Sequence, residues 1–314
     1  MQELVASQTA LATALMRSLH TRIDPSPLID DPWGERLVPE IVVEAIHQRA
    51  LAASSKNAAE PSGDAKAFVD RFLRANPAYA SVIVRTRYTE DALHAAVARG
   101  VRQYVMIGAG FDSYALRRPR ETEDVEIYEI DHPATQGLKR RRLAECGVDV
   151  PPSVHFLPSD LATERLDEVL RRSPFRSREP AFFSWLGVTM YLTHEANLAS
   201  LGAIAAASTT GSQLVFTYLD AAMFRQGRKP ATFRELQRAV SSLGEPFLSG
   251  FDPERLAEDL RTVGFELEED LEDGELVSRY DVADGNGLRA AARSRIALAR
   301  IAKEKIDEPT RTAR

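Results

Sequence analysis

The run Gln103-Tyr104-Val105-Met106-Ile107-Gly108-Ala109-Gly110-Phe111-Asp112-Ser113 decides the fold. A short apolar stretch of strand type leads directly into two glycines separated by one alanine. Glycines at that point let the backbone turn sharply and let a ligand approach it, at the opening of a parallel α/β sheet. Alone the pattern is weak, because many strand–glycine–helix turns are merely turns. The last position of the G-x-G-x-x-G fingerprint is Ser113 rather than glycine, which weakens its dinucleotide version.

On either side of that run the period changes. Downstream, Val125–Ile130, Val154–Leu157, Ala181–Leu186 and Gln213–Tyr218 read as further strands. Thr135–Cys146, Glu164–Arg171 and His194–Ala207 read as helices between them. Strands alternating with helices predict a doubly covered parallel sheet, an α/β fold of the Rossmann-like kind. Phe265–Glu268 and Arg295–Ile301 are expected as late strands, one of them antiparallel; a basic helix over Leu288–Arg314 competes for the second. Residues 1–100 read as a helical extension or lid on a sheet domain of residues 101–314. It has breaks at Asp24-Pro25-Ser26-Pro27 and around Glu60-Pro61-Ser62-Gly63. Ala50–Ala67 is small and polar, and is expected as a mobile connection.

Three successive strand ends offer groups suited to a nucleoside. The glycine turn closes the first. Asp131, some twenty residues on, closes the second, where an acid accepts ribose hydroxyls. Ser159-Asp160-Leu161 closes the third, with an apolar residue on which an adenine could rest. A single Asp there is often only a helix cap. Together the three favour an adenosine-bearing ligand.

Composition narrows the class. The chain has 314 residues, 44% of them hydrophobic and 27% charged, ample for a core without disulfide or metal staples. One cysteine, Cys146, excludes an internal disulfide. No apolar run approaches a membrane span, and the first residues lack the pattern of a secretory signal, so a cytoplasmic protein is expected. A net charge of −6 argues against a general polyanion binder. Lys139-Arg140-Arg141-Arg142 is read as a solvated helix face, and the scattered histidines predict no metal site. The oligomeric state is not legible.

The chain resembles the leucine carboxyl methyltransferase family of S-adenosylmethionine-dependent methyltransferases, in particular its bacterial small-molecule branch. The likeness runs through Pro27-Leu28-Ile29-Asp30-Asp31-Pro32-Trp33 and Val84-Arg85-Thr86-Arg87-Tyr88. It continues through Ile107–Ser113, Tyr128–Pro133 and Ser159–Leu161, and closes with Ser184-Trp185-Leu186-Gly187-Val188-Thr189-Met190-Tyr191-Leu192-Thr193. The resemblance implies a class I methyltransferase sheet binding S-adenosylmethionine. Gly108, Ala109 and Gly110 would border its methionine portion, Asp131 its ribose, and Asp160 with Leu161 its adenine. Ser184 is placed with this set. Arg85 falls where the family pairs an arginine with a carboxylate of cofactor or substrate, a role that fits a planar guanidinium; Arg87 is its fallback. Family members acting on a protein's C-terminal carboxylate carry a glutamate where this chain has Leu186, so a small-molecule acceptor is expected instead.

The transfer needs an oxygen aligned with a methyl already activated to leave, and water kept out. A carboxylate needs no base, whereas a hydroxyl does. No base stands out. His132 and His194 read as loop and helix-start residues. Tyr191 and Tyr218, near strand ends, either face the acceptor or fill the core. Two other readings stay open: a nicotinamide-dependent oxidoreductase, which lacks a Tyr-x-x-x-Lys pair here, and a binding protein without turnover.

Overall fold

Alternation of core-facing side chains along the middle of the chain becomes a seven-stranded sheet in the computed structural model. It describes residues 6–54, 65–161, 163–225, 231–290 and 293–302. Five helices come first: α1 (Gln8–Ile23), α2 (Trp33–Leu37), α3 (Glu40–Ser54), α4 (Ala65–Arg74) and α5 (Tyr79–Ala98). Then follow β1 (Gln103–Ile107), α6 (Tyr114–Arg117), β2 (Glu126–Asp131), α7 (Pro133–Glu145), β3 (Val154–Pro158) and α8 (Leu166–Arg171). The second half adds β4 (Phe182–Trp185), α9 (His194–Ala206), β5 (Gln213–Leu219) and α10 (Ala231–Ser242). It ends with α11 (Leu256–Thr262), β6 (Phe265–Glu272), α12 (Asp273–Tyr280) and β7 (Ser294–Ile301).

The strand order is β3-β2-β1-β4-β5-β7-β6. The first five strands pair in parallel, with Ile107 opposite Ile130 and Met106 opposite Ser184. Strand β7 slots between β5 and β6 and runs antiparallel to both. The chain therefore steps outward from β1 to β3, then returns to lay β4 on the other side of β1. That reversal opens a crevice at the carboxyl ends of β1 and β4, the place where such sheets hold ligands.

Each sheet face has its own core. Tyr104, Met106, Ile127, Phe182 and Val215 point to one face and pack beneath α1 and α5. Val105, Ile107, Tyr128, Phe183 and Trp185 point to the other, in a cluster that includes Leu166 of α8 and Leu201 of α9. Side chains on successive strand residues alternate sides, so one strand feeds both cores.

The local signals act as their chemistry requires. Ser7 caps α1 by accepting the Ala10 N–H at 3.2 Å, and the helix stops at Ile23, ahead of Pro25. His132 caps α7 ahead of Pro133, and Thr193 caps α9. Residues 294–301 are strand, so the competing C-terminal helix is not formed there; residues 303–314 lie outside the described set. The expected mobile connection falls largely on residues 55–64, also outside it, and its flanks at Ala50–Ser54 and Ala65–Ala67 are helical.

One surface assignment needs correction. Lys139 is not solvated: it is 2% exposed and its ammonium donates to the Glu129 carboxylate at 2.5 Å. Residue 139 falls on the side of α7 that packs toward the sheet, where the charge pattern of the run gave no hint of it. Arg142 reaches the carbonyls of Arg36 and Leu37, tying α7 to the N-terminal helices.

Candidate active site

The crevice widens into a cavity of about 1450 Å³, larger than the roughly 300–1,000 Å³ usual for a single small ligand. Its floor is the set of strand ends. Gly108 and Gly110 have φ of +69° and +53°, a region that side chains disfavour. A Cβ on Gly108 would stand 2.5 Å from Val188, so glycine is also required there by space. The Gly108 and Ala109 amides donate to the Ile130 carbonyl at 2.9 and 3.1 Å, folding the turn over the end of β2.

Asp131 sits beside that turn, and its carboxylate accepts the Gly110 N–H at 2.5 Å. Burial pushes its carboxyl above the usual range, while the amides of Gly110 and His132 pull the other way. Asp160 and Leu161 line the same wall after β3, and Ser184 lines the floor at β4. The Ser184 hydroxyl is 2.9 Å from the Tyr104 phenol, so its side chain is engaged below the cavity.

Arg85 enters from α5. Its guanidinium lies against Gly187, and no carboxylate among the described residues pairs with it. Burial, reinforced by nearby Arg17, brings its pKa down to about 10, so it keeps its charge at neutral pH. Arg87 is turned away: it pairs with Asp91 at 3.0 Å and faces a separate cleft beside Trp33.

The N-terminal block explains itself structurally. Buried Asp31 accepts from Arg17 at 2.7 Å, and Arg17 also donates to the Phe111 carbonyl at 2.7 Å. Burial works against the Asp31 charge, but Arg17 and Arg117 hold its carboxyl below the ordinary range. This network pins the segment that follows the glycine turn.

The two candidate tyrosines part company. Tyr191 lies in a short turn, Thr189–Tyr191, beyond β4 and lines the cavity. Burial raises its pKa, so the phenol stays protonated. Tyr218 is a core residue and is not among those that line the cavity. It lies within β5, is fully buried with Phe216 and Phe251, and its hydroxyl is 2.9 Å from both Asp270 carboxylate oxygens. His132 and His194 serve helix starts, the latter packed on Phe251.

Leu186 also lines the cavity. Residues that the sequence did not single out complete the walls: Thr9 of α1, Val42 and Ile46 of α3, and Glu245 with Phe247 after α10. Thr9 donates to Glu245 at 2.5 Å across a sequence separation of 236 residues. No local signal marks such a pair. Among the described residues, no group of His, Cys, Asp and Glu is placed to hold a metal, and no helix is long and apolar enough to cross a membrane.

Comparison with known proteins now assigns the class. The leucine carboxyl methyltransferase family model matches residues 10–205. The chain belongs to that family, and it is an enzyme of the methyltransferase class. A Bacillus subtilis relative named "Putative S-adenosyl-L-methionine-dependent methyltransferase YktD" is 28% identical over 269 residues, covering 85% of this chain and 88% of the relative. A Mycolicibacterium smegmatis relative with the same type of name is 33% identical over 235 residues, covering 75% and 74%. Among solved structures, one described as a putative methyltransferase from Thermobifida fusca has a TM-score of 0.54 at 18% identity, covering 82% of this chain and 94% of that one. A DUF574 family protein from Streptomyces avermitilis also scores 0.54, at 17% identity, covering 82% and 95%. These two bear on the fold, which is that of class I methyltransferases.

Proposed function

We propose that this enzyme moves a methyl group from S-adenosylmethionine to a carboxyl or hydroxyl oxygen of a small molecule. S-adenosylmethionine is the donor, as the names of the relatives indicate, and the residues fit it. The observation that carries the reading is the Arg85 guanidinium: charged, without a carboxylate of its own, and set in the same cavity as Gly108, Gly110 and Asp131. A donor with a carboxylate at one end and a ribose toward the other supplies what each group lacks.

In this reading Arg85 takes the methionine carboxylate, and Gly108, Ala109 and Gly110 let the chain of the donor lie against backbone. Asp131 accepts from the ribose hydroxyls. Asp160 and Leu161 flank the adenine, and Ser184 supports the floor. The bound donor supplies a methyl on a cationic sulfur, which needs no further activation. The protein aligns the acceptor oxygen and keeps water out, a contribution of roughly 7–11 kcal/mol when the alignment is complete. Tyr191, protonated at the cavity wall, donates a hydrogen bond to the acceptor. Residues 1–100 act as the cover over the donor-binding unit, residues 101–314. The acidic balance of the chain suits a small cytoplasmic acceptor better than nucleic acid or a membrane surface.

Calorimetric titration tests the donor assignment. Wild-type protein should bind S-adenosylmethionine and S-adenosylhomocysteine but not NADH, and Arg85→Ala should weaken both. Binding of NADH alone would return the nicotinamide alternative, which neither the family nor the relatives favour. Tight donor binding with no transfer to any acceptor would favour the non-catalytic one.

A further inference from the structure

Among the described residues four arginines line the cavity, Arg17, Arg49, Arg85 and Arg165, and three of them are accounted for. Arg17 pairs with Asp31 at 2.7 Å and Arg165 with Asp167 at 3.0 Å. Arg85 rests on Gly187 and, in the reading above, takes the donor's carboxylate. Arg49 makes no ion pair and no side-chain hydrogen bond among the described residues. It is a second lining cation in want of an anion.

Its place on α3 fixes what surrounds it. Val42, Ile46 and Arg49 recur at i, i+4 and i+7, one face of the helix, and all three line the cavity. His47, on another side of α3, meets Phe68 of α4 edge-on at 5.8 Å between ring centroids, which sets the rotation of the helix. Exposure changes along the lining face: Ile46 is 5% exposed, whereas Arg49, almost a turn further on, is open to solvent. The guanidinium therefore stands at the rim, past the apolar wall of Val42 and Ile46. None of the lining carboxylates pairs with it. Asp112, Asp131, Asp160 and Glu164 stand at or just beyond the ends of β1, β2 and β3, and Glu245 accepts from Thr9 at 2.5 Å.

We propose that Arg49 recognises a carboxylate carried by the methyl acceptor, at a point remote from the oxygen that takes the methyl. The proposal deepens the function proposed above and rests on it. Transfer needs water kept from the reacting oxygen, and a group held at the open rim is not so protected. The anion at Arg49 is therefore a handle and not the reacting centre. A guanidinium offers two parallel N–H donors to a carboxylate, the geometry that makes arginine selective for such planar anions. One such cation in a cavity that five carboxylates also line suits a monoanion better than a dianionic phosphate, since like charges brought together repel. Inward of the handle the acceptor lies along Val42 and Ile46, so its body is apolar.

The test uses the full chain saturated with S-adenosylhomocysteine, titrated by calorimetry with octanoate, octanamide and octyl phosphate. The wild type should bind octanoate about tenfold more tightly than octanamide, and Arg49→Gln should erase that preference. Octyl phosphate should bind no more tightly than octanoate, and the affinity for S-adenosylhomocysteine should be the same in both proteins. Exchanging S-adenosylhomocysteine for sinefungin, which carries an ammonium close to where the donor carries its methyl, reads the placement at the rim. Octanoate affinity should then change by less than about twofold, because a distant, solvated charge pair is screened. Equal binding of octanoate and octanamide, binding of neither, tighter binding of octyl phosphate, or a preference that survives Arg49→Gln would each overturn the proposal. So would octanoate binding that tightens with sinefungin, which would put the carboxylate beside the reacting methyl. A loss of S-adenosylhomocysteine affinity in Arg49→Gln would overturn it too, by assigning Arg49 to the donor. Failure of the wild type to bind S-adenosylhomocysteine would instead overturn the donor reading beneath it.

Discussion

The Arg85 guanidinium lies against the backbone of Gly187: a Cβ on that glycine would stand 3.0 Å from one terminal nitrogen and 3.1 Å from the other. Gly187 has φ of +70°, and its N–H donates to the Thr217 hydroxyl at 2.7 Å, so the turn is fixed from below while the arginine rests above it. The absence of a side chain therefore sets where the cation stands. Gly187→Ala should both strain the turn, by about 1 kcal/mol, and displace the guanidinium. We expect a lower melting temperature together with a loss of S-adenosylmethionine affinity of about tenfold, measured by calorimetry. A variant that melts earlier yet binds the donor normally would separate the turn from the site.

Asp131 is held ready by the Gly110 amide at 2.5 Å, with burial opposing its charge. A ribose that donates to this carboxylate offsets part of that burial cost. Hydrogen bonds to charged groups contribute about 1.5–3 kcal/mol each, so Asp131→Ala should weaken donor binding by one to two orders of magnitude. Far-ultraviolet circular dichroism should stay that of the wild type. Unchanged affinity would remove Asp131 from the ribose.

How much of this was legible in the sequence depends on how local the cause is. Strand β1 spans the same five residues that the apolar run marks, because a strand buried on both faces writes its length into composition. The glycine turn and Asp131 were legible for the same reason: the turn follows its strand directly, and Asp131 is the last residue of its own. Tyr191 and Tyr218 could not be told apart, since both are aromatic residues near strand ends. The structure separates them by placement alone, one beyond its strand and the other inside it, on the alternation that buries Leu214 and Phe216. Glu245 and Lys139 were missed because their roles are set by partners distant in the chain or hidden by helix rotation. A carboxylate next to Pro246 and a lysine in a basic run look like surface until the packing is known.

The buried Glu129–Lys139 pair makes a second kind of prediction, about stability. Both side chains are 2% exposed, and burial raises the Glu129 pKa while Lys139 pulls it down. Removing one partner leaves a charge without compensation, which typically costs 3–5 kcal/mol. Lys139→Met should destabilise the protein by about that amount in urea denaturation. The double variant Lys139→Met/Glu129→Gln should recover most of the loss, because no unpaired charge remains. A double variant as unstable as the single one would show that packing, not charge, sets the cost.

Asp273 predicts a pH dependence with a definite sign. It lies at the start of α12, 3% exposed, and burial pushes its pKa from 3.8 up to about 7, against the pull of Ser81, Arg85 and the Ser294 amide. One of its carboxylate oxygens has no hydrogen-bond partner. The folded state therefore prefers the protonated acid more than the unfolded chain does. That preference is fully present below about pH 4 and is lost as pH rises through about 7, leaving a penalty on the order of a few kcal/mol above it. Asp273→Asn has no charge to desolvate. Its stability relative to the wild type should be smallest near pH 4, grow through pH 5 and 6, and level off above pH 7, with urea midpoints as the measure. Parallel curves for the two proteins across that range would mean that Asp273 titrates as an ordinary carboxylate in the folded protein.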